Sequence, residues 1–593
     1  MATSTRVAMV IGVLIAFTLP PAALAQNYPL VEPKELPAAP PPALTVPPPP
    51  EPAMSAAQQN QVIVAKLAGL HLIDSAAKFV PGGIRAAGVT FDGPPLLDVA
   101  EIRTALAAFL GKPLTFGGLS DITRVIIGYY RTQGRPFVDV VFPEQDVSSG
   151  IVQAVVTEFR VGQIKFEHND WFSTDLLRRE VNLAPGDPIE TRRLQADLDR
   201  LNENPFRTVA AVAEKSDTPG DTDLVFNVQD RLPLRVYGGY DNTGTPVLGH
   251  DRWNLGFNWG NALWLDQQLA YQLTTGNDFW HHRAEISGQS NDPTFVAHSV
   301  SYTIPVFAAD RILLFGTYEK AIPRLGPDLG VIGVSEQASI RYARKLPTLG
   351  PLTHEIQVGY DFKSSNNNLE FGGQTVSNVT SEVDQFPLVY SATIKDPLGE
   401  TSLQNQTFFS PGNLSGENKD AVFEAQANNP FAKARYVYDN LTLTRVTKLP
   451  YNASWVMRVT GQTSDHNLLP SEQLGAGGFD SVRGYDERAA NGSLGLLLRE
   501  ELRSPPFSLL RGLPHTEGDQ AQLLTFWDYG AVRDKQVAPG TQVSTEITSI
   551  GLGLRYSVPR YFDMRLDYGW QLRHLPGQPE LSQMAQLAVT VSY

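Results

Sequence analysis

The stretch "FDMRLDYGWQLR", Phe562–Arg573, alternates without a break. Phe562, Met564, Leu566, Tyr568, Trp570 and Leu572 fall on one side, and Asp563, Arg565, Asp567, Gln571 and Arg573 on the other. Successive side chains of a β-strand point to opposite faces, so this pattern predicts a strand with one apolar and one charged face. Alternation alone also fits a soluble sandwich, whose strands bury one face and wet the other. The charge on the polar face and the aromatic weight of the apolar one point elsewhere: to a strand with lipid on one side and a watery lumen on the other.

Working outward, the pattern recurs. "RWNLGFNWGN" sets Trp253, Leu255, Phe257 and Trp259 against Asn254, Gly256, Asn258 and Gly260. "HEIQVGYDFK" and "SIGLGLRYSV" repeat it, and alternation runs from about Asp230 to Tyr593. Aromatics gather at strand ends, where an interface girdle belongs. The last stretch, "AQLAVTVSY", puts Leu587, Val589, Val591 and Tyr593 on one face with no tail beyond. At roughly 20–25 residues per strand and loop, about 16 antiparallel strands are expected, enough to close without edges. Polar stretches such as "SSNNNLEFGGQTVSN" and "TFFSPGNLSGENKDA" are expected as outer loops.

Upstream the period changes. "DVAEIRTALAAFLGKP" reads as a helix with Asp98 as N-cap, Glu101 completing a capping box, and Gly111 and Pro113 as stops. Ile122, Val125, Ile126 and Tyr129 line one face of a second helix that Gly134 ends. The strands "PFVDVVF" and "IVQAVVTEF" follow. The order β-α-α-β-β then repeats: "VGQIKF", a short helix capped by Ser173, a helix with Asp187 as N-cap, Pro188 at its first position and Glu190 in a capping box, then "VAAVAE" and "TDLVFNV". No catalytic constellation stands out in either module. A small exposed sheet edge suits the receipt of an extended peptide as an added strand.

The N-terminus gives an address. Arg6 precedes an apolar run, Val7 to Leu19, and the small-residue site Ala23-Leu24-Ala25, the pattern of a secretory signal peptide cleaved after Ala25. The run is too short to span a bilayer, which takes about 20 apolar residues. The expected layout is a signal peptide (1–25), a proline-rich linker (26–54) read as a solvated tether, a short helical segment (55–82), two modules (83–159 and 160–230) and a barrel (231–593). The chain has no cysteine, which excludes disulfides and thiolate metal sites, and a net charge of −14 argues against a nucleic-acid partner. Adjacent His281 and His282 would point to opposite faces of a strand, so no metal site or other cofactor is expected.

One loop resists this reading: "LGAGGFDSVRGYDERAANGSLGLLLREEL", Leu474–Leu502, which fits no nucleotide, metal or nucleophile pattern. With "YDNTGT" after the second module, "FWDYG" later in the barrel, and "IIGYYRTQGRPFVDVVFPEQDVSSGIVQAVVTE" in the first module, it resembles the haemolysin-activator family of two-partner secretion transporters. That family lies within the superfamily of outer-membrane barrels preceded by periplasmic POTRA domains. The resemblance implies that Val482, Arg483, Gly484 and Tyr485 form a loop folded back into the barrel. It also implies that Arg483 pairs with Asp528 of the Phe526-x-Asp528-x-Gly530 motif, and that Tyr129, Tyr130, Gly134, Pro143 and Gln145 form the POTRA pattern. Tyr593 stands at an assembly-signal position where the family usually has phenylalanine. The implied function is translocation of an unfolded, β-helical exoprotein from periplasm to cell surface, with outer-membrane lipids and the barrel-assembly machinery as further partners and no reaction chemistry. A barrel-assembly insertase and a passive porin are the alternatives. A plug helix could come only from Ser55 to Leu70.

Overall fold

The computed structural model describes residues 31–36, 55–94, 96–280, 293–307, 310–323, 329–371, 374–511, 518–537, 544–575 and 582–593. His281, His282 and the expected signal peptide lie outside them. The chain divides into two units, one within residues 37–233 and one that joins residues 234–593 to Val31–Leu36.

The larger unit is a closed barrel of sixteen strands in sequence order. Its walls follow from the alternation: Trp253 and Leu255 are 40% and 56% exposed, whereas Asn254 and Asn258 between and beyond them are buried. The same holds for Leu566 and Trp570, outward and exposed, against fully buried Asp567. Wrapped around a closed sheet, such an apolar outer face is a lipid-facing band rather than an aggregation hazard. The first strand, Leu234–Asp241, closes on the last, Gln583–Ser592, through the pairs Tyr237↔Ser592 to Asp241↔Ala588. Beyond these pairs the Asn242 amide continues the seam by donating to Ala585 O (2.8 Å) and accepting from Leu587 N (2.8 Å). At the other end Val236 and Tyr593 exchange two backbone hydrogen bonds of 3.1 and 3.0 Å.

Two expectations about this unit change. The stretch "SSNNNLEFGGQTVSN" is not an outer loop: strands Leu352–Phe371 and Gln374–Asp396 run through it as one long hairpin. A strand that projects beyond the membrane has water on both faces, so the loss of alternation there did not mean the loss of the strand. The proline-rich segment is not wholly a solvated tether either. Val31 packs with Leu248, Phe295, Ala297 and Ala321, and its carbonyl accepts from Gln272 Nε2 (3.2 Å) and from Ser299 Oγ. Lys34 donates from its backbone N to Tyr237 Oη (2.9 Å) and from Nζ to Thr590 Oγ1 (2.8 Å). The chain that occupies the barrel is therefore Val31–Leu36, not Ser55–Leu70.

The smaller unit holds two sheets. The first has the order Gly88–Asp92, Gly69–Ile73, Ile151–Glu158, Val138–Val141, with the central pair parallel and Gly69–Ile73 also parallel to Gly88–Asp92. Helices Ala100–Ala107 and Phe116–Thr132 pack on it through Ile102, Leu106, Ile122 and Ile126. The region 55–82 is thus not a helical segment outside the module. Only Ala56–Gln59 is α-helical, and "GLHLI" is an inner strand whose Leu70, Leu72 and Ile73 are fully buried. A strand covered on both faces loses the period-two signature. The second sheet orders Arg160–Glu167, Asp221–Asp230, Arg207–Lys215, with helices Thr174–Arg179 and Thr191–Leu201.

Ser173 caps its helix as expected, by accepting from Leu176 N at 3.4 Å. The other two caps differ. Asp98 is bound by Arg103 while extended Val99 precedes the helix, and Asp187 accepts from Ala184 N (3.2 Å) and Arg193 Nη2 (2.8 Å) while the helix starts only after Glu190. In both, a nearby arginine or a preceding turn takes the carboxylate that the capping box would have used.

Candidate functional site

Residues 465–493 connect strands Ser454–Ser464 and Leu494–Arg503, and they fold back into the lumen instead of leaving it. A short hairpin, Leu474–Ala476 with Ala490–Gly492, stiffens the loop. At its tip Arg483 has no exposed surface. Its Nε donates to Asp528 Oδ2 (2.7 Å) and its Nη2 to Asp528 Oδ1 (2.8 Å), a two-pronged contact that the planar guanidinium is shaped for. The Arg483 backbone N adds a third bond to Asp528 Oδ2 (3.1 Å). Beneath, the guanidinium stacks on Phe526 with its carbon 3.7 Å from the ring centre.

Each motif position has a task. Gly484 sits at φ 88°, and a Cβ there would lie 3.0 Å from the Gly569 carbonyl carbon, while one on Gly569 would meet Gly484 Cα at 2.8 Å. Two glycines let the loop backbone lie against the wall. The Gly484 carbonyl accepts from Gln571 Nε2 (2.7 Å), and its N donates to Gln586 Oε1 (3.2 Å). Tyr485 Oη lies 2.6 Å from Arg573 O and 3.0 Å from Thr548 O. Val482 is buried with Leu474, Ala476, Leu497 and Ile547, and a Cβ on Gly530 would stand 2.9 Å from its Cγ2. The final glycine of Phe-x-Asp-x-Gly is the notch that admits the valine.

Sequence reasoning missed two further carboxylates. Arg483 Nη1 also donates to Glu501 Oε1 (2.6 Å) and Asp567 Oδ1 (3.4 Å). Three carboxylates around one guanidinium would leave excess negative charge, and other arginines balance it. Arg503 Nε donates to Glu501 (2.8 Å), and Arg555 and Arg565 both bind Asp567 (2.9 and 3.0 Å). Arg565 reaches back into the loop, to Asp480 (2.7 Å) and over the Phe479 ring (3.7 Å). The tip thereby touches all five of the last barrel strands. Asp567 stood on the polar face of the strand that opened the sequence reading. Its inward direction was legible, its partner was not.

The stem of the loop has a second anchor that the sequence did not reveal. Glu472 is buried and accepts from Lys363 Nζ (2.7 and 3.0 Å) and Tyr438 Oη (2.9 Å), while its carbonyl accepts from Gln462 Nε2 (3.0 Å). Leu468 and Leu469 pack beside it against Phe408, Tyr436 and Phe423. The loop is thus a strap, tied at its stem to one wall and at its tip to the other. Beside it lies a cavity of about 400 Å³.

The remaining sequence-named residues lie elsewhere. Tyr130 is buried in the first module's core and Tyr129 packs against it. Gly134, at φ 72°, ends the helix, and its carbonyl accepts from Thr191 N of the second module (2.9 Å). Next to it Arg135 joins Glu158 (2.6 Å) and Glu190 (3.1 Å), and these carboxylates, Glu158 first, hold its guanidinium above its ordinary pKa. Gln145 ties the loop at Pro143 to an inner strand: its Oε1 accepts from Gln153 N (2.7 Å), and its Nε2 donates to Gln153 O (2.8 Å) and Pro143 O (3.1 Å). Tyr593 lies at the seam with its side chain 93% exposed.

Known proteins share this arrangement. The family described as "Haemolysin secretion/activation protein ShlB/FhaC/HecB" matches residues 220–556, "POTRA domain, ShlB-type" matches 84–158, and "Surface antigen variable number repeat", a POTRA family, matches 159–231. The chain is 22% identical over 482 residues to the heme/hemopexin transporter protein HuxB of Haemophilus influenzae, covering 77% of this chain and 78% of that one. It is 22% identical over 520 residues to the outer membrane transporter CdiB-2 of Burkholderia pseudomallei, covering 84% and 81%. The structure of CdiB from Escherichia coli superposes with a TM-score of 0.68 at 17% identity, covering 92% of this chain and 93% of that one. CdiB from Acinetobacter baumannii gives 0.59 at 16%, covering 93% and 95%.

Proposed function

The chain belongs to the haemolysin secretion/activation family of outer-membrane, two-partner secretion transporters, and from that premise we propose that it carries one large, unfolded, β-helical exoprotein from the periplasm to the cell surface. The observation that supports this reading best is the strap. A loop tied across the lumen by a fully buried arginine and three carboxylates, in a chain that also carries two POTRA modules, suits a gated conduit.

In this reading the POTRA modules span about 83–159 and 160–230, with the strand at Gly69–Ile73 added to the first. Their edge strands, Val138–Val141 and Arg207–Lys215, carry the exposed apolar residues Val141 and Val212 and suit the capture of an extended segment backbone to backbone. Tyr593 serves the barrel-assembly machinery, and the outward band meets outer-membrane lipids. No covalent chemistry is assigned, and exoprotein folding outside the cell drives the transfer.

The test pairs this chain with a large exported β-helical protein from the same genome. With the intact chain that protein accumulates in the medium, and without it the protein stays in the periplasm. Equal release with and without the chain overturns the proposal.

A further inference from the structure

The outer wall of the barrel is uneven at its seam. Alternation turns Val236, Gly238 and Tyr240 of the first strand outward, and Val589 and Val591 of the last strand outward beside them. The register sets Gly238 between Val591 on one side and Leu255 on the other, both 56% exposed. Gly238 adds no side chain to that row, so two apolar ridges flank a gap. The gap is a groove of about 410 Å³ with an almost wholly apolar lining that continues to Leu273. That volume lies within the range of roughly 300–1,000 Å³ usual for ligand clefts. The first strand follows the second module, so Leu234 marks its periplasmic end. Toward the other end the groove is closed by Tyr240 and Trp253, whose ring centres are 5.0 Å apart. Tyr240 Oη donates to Asp251 Oδ1 (2.6 Å), which draws the ring away from Gly238. Toward the periplasm the groove runs out past exposed Val236 to Tyr593. The exposed Arg560 stands at the turn there, its carbonyl accepting from Ser592 Oγ.

An apolar trough excludes water, and one left unfilled forfeits the contacts of its lining. The groove is continuous with the lipid-facing band, so hydrocarbon is what its surroundings supply. Its open end and its nearest exposed cation both lie on the periplasmic side, and a cation at that level attracts a phosphate. We infer that the groove binds one acyl chain of a glycerophospholipid from the periplasmic leaflet, with the phosphate at the level of Arg560. Lipid A, from the opposite leaflet, would have to enter through the closed end at Tyr240 and Trp253. The bound chain covers a short ladder: the seam has five paired positions, against eight between the first and second strands. The lipid thereby braces the seam from outside. The inference rests on the outward band facing lipid and not on what crosses the lumen.

The full chain, inserted in the outer membrane and purified in mild detergent, should keep one phospholipid per barrel through extensive washing. Native mass spectrometry and lipid extraction read this. A Cβ on Gly238 would meet only the Asn254 carbonyl, at 3.8 Å, so Gly238→Phe fills the groove from its floor. Leu255→Trp fills it from the side and leaves the seam backbone untouched. Each should lower retained phospholipid at least about fivefold, whereas Leu441→Phe, outward on a distant strand, should not. Heat-modifiability confirms that each variant is a folded barrel. Equal retention in the wild type and in the folded filling variants overturns the inference, and so does retention of lipid A in place of phospholipid. The band is tested separately, with phospholipid brominated in its chains, which should quench the outward Trp253 and Trp527 of the reconstituted protein. Quenching without retained lipid defeats the groove and leaves the lipid-facing band standing. No quenching defeats the band and this inference with it.

Discussion

Arg483 is the residue on which the strap's inner end depends. Its removal strands Asp528, Glu501 and Asp567 in a confined space, and loss of one member of a buried pair costs about 3–5 kcal/mol, less where water reaches it. Arg483→Ala and Asp528→Ala should each abolish or strongly reduce release of the exoprotein while the barrel still inserts. The arginine variant should be the worse, because it uncouples three carboxylates rather than one. The double variant should be no worse than Arg483→Ala, since the shared contact is lost only once. Arg483→Lys should rescue poorly, as an ammonium cannot make the two-pronged contact with Asp528. Exoprotein in the medium, measured against barrel in the membrane, decides this, and normal release from both single variants rules out the lock. Much of the lock was legible beforehand. The family resemblance named Arg483, Gly484, Phe526, Asp528 and Gly530 and implied the pairing, and the planar guanidinium agrees with it. Glu501, Asp567 and Gly569 were not legible as partners. Alternation tells which way a side chain points, but not which of sixteen strands a returning loop will meet.

Among the elements, the inner strand Gly69–Ile73 sets where the first module begins. A fragment starting at residue 83 lacks it, which leaves Gly88–Asp92 without a neighbour and opens the core at Leu70 and Leu72. Residues 55–231 should therefore unfold cooperatively on heating and bind the exoprotein's N-terminal region in calorimetry, whereas residues 83–231 should lose the first module's transition. Equal melting of both fragments contradicts this. The strand escaped sequence reading because a fully buried strand does not alternate, and its neighbouring "SAAQQNQ" suggested helix instead. The strap offers the other test at this scale. Glu472→Gln and Lys363→Met each leave a buried partner uncompensated at the stem, so both should raise the fraction of time the reconstituted channel spends open. They should also speed cleavage of residues 465–493 by added protease, with the tip contacts intact. Wild-type gating and wild-type cleavage in both variants would remove the stem from the account.

At the scale of the whole molecule, the architecture was the most legible part, because a strand period repeated over more than half of the chain leaves few ways to satisfy backbone hydrogen bonds in lipid. How the barrel shuts was not legible. The seam rests on the pairs from Tyr237↔Ser592 to Asp241↔Ala588, extended by the side chain of Asn242 at one end and by Val236 with Tyr593 at the other. Deleting Tyr593 removes the last two backbone bonds and an outward aromatic ring, and should lower the amount of folded, heat-modifiable barrel in the outer membrane. Unchanged levels refute that role. The seam has a temporal side as well. It joins positions 236 and 593, so its loop-closure entropy is on the order of 5 kcal/mol, and no shorter-range contact can stand in for it. Contacts that distant form late and slowly. Closure cannot start before residues 583–592 are in place, and a sheet that lacks them keeps two bare edges. The fold therefore makes its maturation all-or-none: a chain cut short within the final strand has not a weaker transporter as its product but an open sheet with two edges to pair.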